Sequence, residues 1–253
     1  MLIKFIQVNI YKGKYLDSLV EFLKNEKPDF VTMQEVTTYK LNNWDDKGID
    51  LFEYIKGELG YEGVYNGDLK LEGSLESTFG NAVLTKFPVV GSNVLVLNEF
   101  RPLTFAEIDH GEDIWPFVPR HVLDLTVQVE NQNVHAMSWH GAWTAPPQDT
   151  EITVGQATKV ADYLRGLSEP FILGVDMNAI PQSKSAENIS EAANNLMLGS
   201  NVVQTTHPTI HKIAPRGFLI DYIFTSPEFK LKSLKVPLVT VSDHLPVIAE
   251  LEL

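Results

Sequence analysis

Residues 171–178 read Phe-Ile-Leu-Gly-Val-Asp-Met-Asn, a short apolar run that ends in a carboxylate and a carboxamide. The run is bounded by polar residues, and its β-branched side chains favour a buried strand over 171–175. The preceding stretch, 151–166, repeats apolar residues at helical spacing and predicts an amphipathic helix. In an extended segment, the side chains of Asp176 and Asn178 point the same way. The sequence therefore predicts a buried strand whose polar end presents two side chains to one site.

Short apolar strands with a few amphipathic helices recur along the whole chain. We predict strands at 2–9, 30–35, 62–65, 81–86, 93–97, 121–129, 133–139, 218–224 and 246–252, and helices at 15–25, 50–59 and 151–166. The stretches 37–49, 66–79, 98–119 and 141–150 are read as surface loops. This mixture fits an α+β layered sandwich better than a purely parallel sheet. With no linker long enough to divide it, residues 1–253 are expected to form a single domain.

The bulk composition limits the kinds of chemistry available. The chain has 253 residues and no cysteine, which excludes disulfides, thiolate metal ligands and a cysteine nucleophile. The N-terminus lacks the features of an export signal, and no apolar run is long enough for a membrane span. We therefore expect a cytoplasmic protein, although an export signal removed from the chain would not be visible. The net charge of −13 argues against a broad basic surface for tight, non-specific nucleic-acid binding, but it does not exclude a nuclease.

Polar side chains stand at the ends of the apolar strands. A buried carboxylate at such a place is costly unless it is paired or binds a metal ion. None of them shows the spacing of a zinc site, and an oxygen-rich set suits Mg²⁺ or Mn²⁺. The candidates are Asn9, Glu35, His140, Asp176, Asn178, Asp221, Asp243 and His244.

Taken together, these motifs resemble the endonuclease/exonuclease/phosphatase superfamily of deoxyribonuclease-like, metal-dependent phosphoesterases. The resemblance rests on an ordered set that runs from residue 8 to residue 244. Its members are Val8-Asn9, Gln34-Glu35-Val36, the Gly80–Thr85 segment, His140-Gly141, the Gly174–Asn178 segment, the Asp221–Phe224 segment and Ser242-Asp243-His244. The resemblance implies a four-layer α/β/β/α sandwich of two packed mixed sheets, with the site at one edge of the sheets.

The same resemblance implies a role for each candidate. Glu35 would ligate the catalytic metal, assisted by Asn9 and Asp243. Asp176 would orient and deprotonate the attacking water, and Asn178 would hold the phosphate. His244 would contact a phosphate oxygen, with its ring fixed and charged by Asp221, and His140 would be a second phosphate contact or a proton donor.

Two departures from the family pattern stand out. Family members often have Gly directly before the Asp of the Asp-x-Asn motif, whereas here Val175 lies between Gly174 and Asp176. Abasic-site endonucleases usually carry Tyr at the position of His140. The His140–Trp143 segment, followed by a helix that bears Gln156, instead resembles bacterial members of the superfamily.

Several residues have two readings. Arg120 could reach the phosphate as a substrate-binding group or lie on the surface. Asp176 and Asn178 could simply form a turn. The four-residue spacing of His207 and His211 suggests a metal site, but Pro208 argues against a helix, so we favour a loop or substrate rim. Aromatic residues such as Trp143 could stack on a base, cover a lipid or be buried.

The function predicted from the sequence is divalent-metal-dependent hydrolysis of a phosphodiester or phosphomonoester by direct attack of an Asp-activated water. Two classes of substrate remain: a nucleic acid, and a small molecule or lipid headgroup. The excess of acidic residues mildly favours the second class. A non-catalytic binding module on the same fold is the alternative from another class. Neither the number of metal ions nor the oligomeric state follows from the sequence.

Overall fold

The computed structural model describes residues 1–38, 48–71, 78–99, 101–104, 107 and 114–253. Within these residues lie four α-helices: α1 (Leu16–Glu26), α2 (Leu51–Leu59), α3 (Glu151–Gly166) and α4 (Lys184–Ser190). The strands are β1 (Leu2–Asn9), β2 (Phe30–Thr38), β3 (Glu62–Leu71), β4 (Thr78–Thr85), β5 (Val89–Asn98), β6 (Pro102–Leu103), β7 (Arg120–Val129), β8 (Gln132–His140), β9 (Phe171–Asp176), β10 (Asn194–Asn195), β11 (Asp221–Thr225), β12 (Lys230–Lys235) and β13 (Val247–Glu252).

These strands form two mixed sheets. The first has seven strands in the order β12-β13-β1-β2-β4-β3-β6, and the second has six in the order β10-β11-β9-β8-β7-β5. Parallel pairing joins β1 to β2 and β8 to β9, while β9 and β11 run antiparallel. The carboxyl ends of β1, β8 and β9 therefore lie near the amino end of β11, and this edge carries the candidate site.

The alternation of β1 explains the layering. Ile3 and Phe5 join the core between the sheets, whereas Ile6 and Val8 pack beneath helices α1 and α2. On the far side, α3 and α4 cover the second sheet through residues such as Val160. The result is the expected four-layer α/β/β/α sandwich.

A polar cluster interrupts the apolar core close to the site, and we call its members Gln7, Thr32, Gln34 and Ser138 the inter-sheet polar cluster. The Gln7 side chain accepts a hydrogen bond from Thr32 Oγ1 at 2.7 Å, and Gln34 Nε2 donates to Ser138 Oγ at 2.9 Å. Each partner satisfies a group that would otherwise be buried without a hydrogen bond. The cluster links the two sheets and fixes the distance between them.

Gly174 lies against this cluster in strand β9. A Cβ atom there would stand 2.0 Å from Thr32 Oγ1 and 2.7 Å from Gln7 Oε1. The glycine is therefore required by the close approach of the sheets, two positions before Asp176. Val175 lies between this glycine and Asp176, and all three residues belong to strand β9.

The structure corrects several predicted boundaries. Strand β2 does not end at Glu35 but bulges there and continues to Thr38. Strand β3 runs on to Leu71 and β6 forms at Pro102–Leu103, so parts of the predicted loops 66–79 and 98–119 are strand. Of the predicted loops, residues 39–47, 72–77, 100, 105–106 and 108–113 lie outside the described residues.

Helix α4, the edge strand β12 and the two-residue strands β6 and β10 were not predicted. Helix α4 has only seven residues and is preceded by the N-cap residue Ser183, whose side chain accepts a hydrogen bond from Ala186 N. Strand β12 is a largely exposed edge strand with alternating lysines, so it lacks the apolar face that marks a strand in sequence. Among the described helices, none has the length and hydrophobicity of a membrane-spanning segment.

Candidate active site at one edge of the sheets

Strand register brings the central side chains together. His140 ends β8, Asp176 ends β9, and Asp221 begins β11. His140 and Asp221 are each the direct cross-strand partner of Asp176. The imidazole Nε2 of His140 lies 3.6 Å from Asp176 Oδ2. Three groups that are far apart in sequence therefore form one row across the sheet edge.

The first sheet contributes Asn9 and Glu35. Glu35 occupies the β2 bulge with a φ of +56°, where the register shifts between Met33 and Val36. Asn9 Nδ2 donates to Glu35 Oε1 at 3.2 Å and to Asp176 Oδ2 at 3.0 Å, so its amide joins the carboxylates of the two sheets. Its Oδ1 accepts a hydrogen bond from Tyr11 N at 3.0 Å. The geometry thus gives Asn9 the contacts of a positioning group, with its amide nitrogen rather than its oxygen toward the carboxylates.

Lys12 is a site residue that the sequence analysis did not identify. Tyr11, Lys12 and Gly13 have consecutive φ values of +48°, +54° and +70°, a left-handed turn that L-residues adopt only at a cost. A Cβ on Gly13 would also approach Leu51 Cδ2 to 2.8 Å. Such strain is often retained at functional sites. Here it places Lys12 Nζ 3.2 Å from Glu35 Oε2.

This ion pair fixes the charge state of Glu35. Burial alone would raise the pKa of Glu35, but Lys12, His140 and the Asn9 amide lower it to about 2. Burial alone would lower the pKa of Lys12, yet the carboxylate of Glu35 outweighs burial and raises it. Both groups are therefore charged at neutral pH.

A second buried pair joins Asp221 to His244. His244 Nδ1 lies 2.8 Å from Asp221 Oδ2, and its Nε2 lies 3.8 Å from Asp176 Oδ2. Burial disfavours the charged ring, but the two carboxylates reverse this and hold the pKa of His244 well above its usual value. Because Nδ1 is directed to Asp221, the charged ring presents Nε2–H toward Asp176 and the cavity.

Asp176 and Asn178 form a turn, so the extended geometry expected for them is wrong. Asn178 has a φ of +53°, and its backbone N–H donates to Asp176 Oδ1 at 3.1 Å. Both side chains nevertheless line the same cavity, and Asn178 Nδ2 donates to Gly141 O at 3.3 Å. Burial, together with the nearby Asp221 carboxylate, raises the pKa of Asp176 despite the opposing charge of His244. The turn formed by Asp176 and Asn178 is therefore part of the candidate site.

Arg120 is buried in the cavity wall rather than on the surface. It begins β7, is 2% exposed, and has Nη1 3.9 Å from Asp68 Oδ2. Within the described residues, Nε and Nη1 of Arg120 have no hydrogen-bond partner. His140, nearby, has its pKa lowered well below the usual value by burial and by the charge of Arg120. A buried cation with unused donors is suited to an anionic ligand.

Asp243 and Glu35 have the donor chemistry for a divalent cation. The Asp243 side chain is 8% exposed, and the one hydrogen bond to its carboxylate within the described residues comes from Ser242 Oγ at 3.3 Å. Burial and the nearby charge of Glu35 raise the pKa of Asp243 even though His244 opposes them. Two carboxylates in a partly hydrated cleft are the protein ligands that Mg²⁺ typically uses. The residues present therefore fit a hard divalent ion.

His211 and His207, which share a loop, separate in the structure. The His211 ring packs edge-on against His244 with centroids 5.4 Å apart and lines the cavity. Burial and the charge of His244 lower the pKa of His211 to about 4. Possible ligand atoms of His211, Asp243 and His244 lie within 4.8 Å of one another. His207 does not line the cavity, and its Nε2 lies 3.3 Å from Thr240 Oγ1.

Most of these side chains line a cavity of about 910 Å³. Beyond the sheet edge that carries His140 and Asp176, the cavity walls come from the loop after β8, including Trp143, and from a loop that carries Lys212 and Arg216. Trp115 also lines it, whereas Phe117 is exposed. The cavity is lined by all of the predicted site residues except Asn9 and Asp221, which lie behind it and hold the others.

Comparison with known proteins places this architecture in a family. The model of the "Endonuclease/Exonuclease/phosphatase family" matches residues 6–244. No curated protein sequence matches the chain. Among solved structures, an endonuclease/exonuclease/phosphatase from Bacteroides vulgatus superposes with a TM-score of 0.76 at 20% identity, covering 100% of this chain and 99% of that one.

Two further structures carry more specific names. A mannosyl-6-phosphatase from Bacteroides thetaiotaomicron VPI-5482 has a TM-score of 0.73 at 17% identity, with coverage of 99% of this chain and 100% of that one. TDP2 from D. rerio, complexed with single-strand DNA product, has a TM-score of 0.72 at 14% identity and covers 100% of this chain and 99% of that one. The family match over nearly the whole chain decides the assignment: the protein belongs to the endonuclease/exonuclease/phosphatase family.

Proposed function

We propose that the protein is a divalent-metal-dependent phosphoesterase in which water attacks phosphorus directly, without a covalent enzyme intermediate. Residues 1–253 would act as one catalytic domain. The observation that carries the proposal is the row of His140, Asp176 and Asp221 across the sheet edge, which faces the carboxylate of Glu35. The carboxylate of Asp176 as base, the imidazolium of His244 and a cation site at Glu35 would then surround one cavity.

Asp176 is proposed as the general base. Its raised pKa makes its carboxylate a better proton acceptor than an ordinary aspartate, which suits a base that works near neutral pH. Asn9 and the Asn178 N–H donate to its oxygens and hold them in place. The proton of the attacking water would pass to Asp176 Oδ2, which faces both His140 and His244.

The phosphate would be held by cationic and neutral donors. The imidazolium of His244 would donate from Nε2, because Asp221 occupies Nδ1. Arg120 would contribute unused guanidinium donors and Asn178 its side-chain amide. The lowered pKa of His140 favours a neutral ring, and hence a hydrogen-bonding contact rather than a charged proton donor.

Glu35 and Asp243 would hold the metal ion, Mg²⁺ or Mn²⁺. When bound, a divalent ion supplies Lewis acidity to a phosphoryl oxygen. Asn9, which the sequence suggested as a metal ligand, is proposed instead to orient Glu35 against Asp176. Lys12 would hold the second oxygen of Glu35 and keep that carboxylate ionised.

The substrate would be a small phosphate ester rather than a long nucleic acid. The relatives include a mannosyl-6-phosphatase and a protein with a bound DNA product, so the family alone leaves both classes open. The net charge of −13 and the walls that flank the cavity favour a compact ligand. A nuclease that contacts many phosphates would lose affinity steeply with added salt, whereas the proposed enzyme would show a weak salt dependence.

The test is turnover of bis-p-nitrophenyl phosphate and p-nitrophenyl phosphate by the purified protein. EDTA should abolish the activity, and Mg²⁺ or Mn²⁺ should restore it where Ca²⁺ alone does not. Turnover that survives EDTA would contradict the metal dependence. Absence of turnover across a panel of oligonucleotides, abasic DNA, sphingomyelin, inositol phosphates and these esters would instead support a non-catalytic binding module.

A further inference from the structure

The mouth of the cavity carries an aromatic face and two cations that the proposed chemistry does not use. We call Trp143, Lys212 and Arg216 the rim subsite. All three line the same cavity as Asp176 and His244. In a chain with 33 acidic and 20 basic residues, cations grouped at this one opening are against the overall charge balance.

One wall of the rim is tied to the proposed phosphate position. Gly141 N donates to Asp176 O at 2.8 Å, and Asn178 Nδ2 donates to Gly141 O at 3.3 Å. Trp143 follows two residues later and lines the same cavity as Asn178. A group attached to a phosphate held by Asn178 would therefore share this cavity with the indole.

The opposite wall is tied to the other phosphate contact. His211 packs against the ring of His244, and Lys212 is the next residue. Lys212 Nζ lies 3.7 Å from the centroid of the Trp143 ring, so a cation–π contact joins the two walls across the mouth.

Internal hydrogen bonds hold both walls in shape. Ala214 N donates to His211 O at 2.9 Å, and Arg216 N donates to Ile213 O at 3.2 Å. In the other loop, Thr144 Oγ1 accepts from Gln148 N at 3.0 Å. The rim is therefore a preformed surface, which reduces the entropy lost when a ligand binds.

The side chains of the rim have a definite ligand chemistry. Lys212 covers one face of the Trp143 indole. An indole can stack on a flat or cyclic group through the face that a neighbouring cation does not cover. In the part of the chain that the structure describes, Arg216 has no carboxylate within salt-bridge distance. Guanidinium groups favour phosphate oxygens. The combination selects a ring that carries its own anionic group.

We propose that the rim subsite binds the ring of the substrate next to the scissile phosphate, together with a second phosphate on that ring. The substrate class is then a sugar or nucleoside bisphosphate, or the phosphorylated end of a very short oligonucleotide. This inference rests on the proposed function for the position of the scissile phosphate. It adds to that function a specificity for a second phosphate.

Equilibrium binding tests the subsite without turnover. Calorimetry in EDTA compares adenosine 3′,5′-bisphosphate with adenosine 5′-monophosphate, and glucose 1,6-bisphosphate with glucose 6-phosphate, which separates nucleoside from sugar rings. We expect the bisphosphate of at least one pair to bind about tenfold more tightly, the effect of one strong charge-assisted contact. The double variant Lys212→Gln/Arg216→Gln should lose this preference.

The matched control removes the same charge elsewhere. Lys230→Gln/Lys232→Gln changes two exposed lysines of edge strand β12, outside the cavity, and should keep the preference. Equal binding of both members in both pairs, or a preference that survives in the Lys212/Arg216 variant, overturns the rim subsite. Failure to hydrolyse any ester overturns the proposed function instead, because the binding result does not depend on turnover.

Discussion

Replacement of Asp221 by Asn tests the buried pair that charges His244. Asp221 is fully buried and His244 is 5% exposed, with the two side chains 2.8 Å apart. Breaking a buried ion pair costs about 3–5 kcal/mol. Asn keeps the shape and one acceptor, and a retained hydrogen bond offsets about 1 kcal/mol. We therefore expect Asp221→Asn to lower the free energy of unfolding by about 2–4 kcal/mol.

The assay has a thermal and a spectroscopic part, both on metal-free protein. At roughly 2–4 °C per kcal/mol for a chain of this size, Tm should fall by about 5–15 °C. The protonated His244 stabilises the fold below its raised pKa, and this contribution is lost as pH rises through that pKa. The variant should therefore lose most stability on the acid side. NMR titration should find the pKa of His244 lowered. An unchanged titration and unchanged stability would refute the pairing.

Asp124→Asn is the matched control for this variant. Asp124 is also buried and also pairs with a histidine, His135, with 2.9 Å between Nδ1 and the carboxylate, but neither residue lines the cavity. The control should lower stability and leave phosphoester turnover near wild type. The Asp221→Asn variant should lose both stability and phosphoester turnover.

Two further predictions concern the strained and crowded positions. Gly174→Ala should lower the unfolding free energy by about 1–3 kcal/mol, because its Cβ would overlap the inter-sheet polar cluster. A Cβ added at Gly155 would meet no atom of the described residues within 4 Å. Gly155→Ala should therefore raise the free energy of unfolding by about 0.5–1 kcal/mol, and urea unfolding distinguishes the two variants. Burial opposes ionisation of Glu35, but Lys12 helps to lower the pKa of Glu35 to about 2. The stability that the ionised carboxylate contributes is therefore lost as pH falls toward that value. Lys12→Met should therefore reduce stability more at pH 7 than at pH 3, and an equal loss at both would contradict the pair.

Much of the fold follows from alternation and spacing along the chain. The faces of β1, the helices α1 to α3 and the hairpin of β7 and β8 all carry a clear apolar period. Helix α4 and strand β12 do not, because a short helix has too few turns to show a period and an exposed edge strand has no buried face. The bulge at Glu35 was also missed, since a one-residue register shift depends on the partner strand.

The site was predictable where the polar residue ends an apolar strand. His140 and Asp176 belong to that group. Asp221 lay inside the predicted strand 218–224 and in the structure begins β11. Register places the three side chains next to one another. Lys12 was missed because an isolated lysine in a loop looks like any surface lysine until the left-handed turn directs it to Glu35. The available signal was a Lys-Gly pair that begins three residues after the predicted site residue Asn9.

The most direct test of the central claim is the turnover number of the Asp176→Asn variant with Mg²⁺, measured on whichever ester the wild type hydrolyses. Loss of a general base lowers turnover by about 10²–10⁴-fold, and we expect at least that effect with an unchanged circular dichroism spectrum. Asp162→Asn, an exposed residue of α3 with a 68% exposed side chain, serves as the control and should keep full activity. A folded Asp176→Asn variant that retains near wild-type turnover would contradict the proposed mechanism.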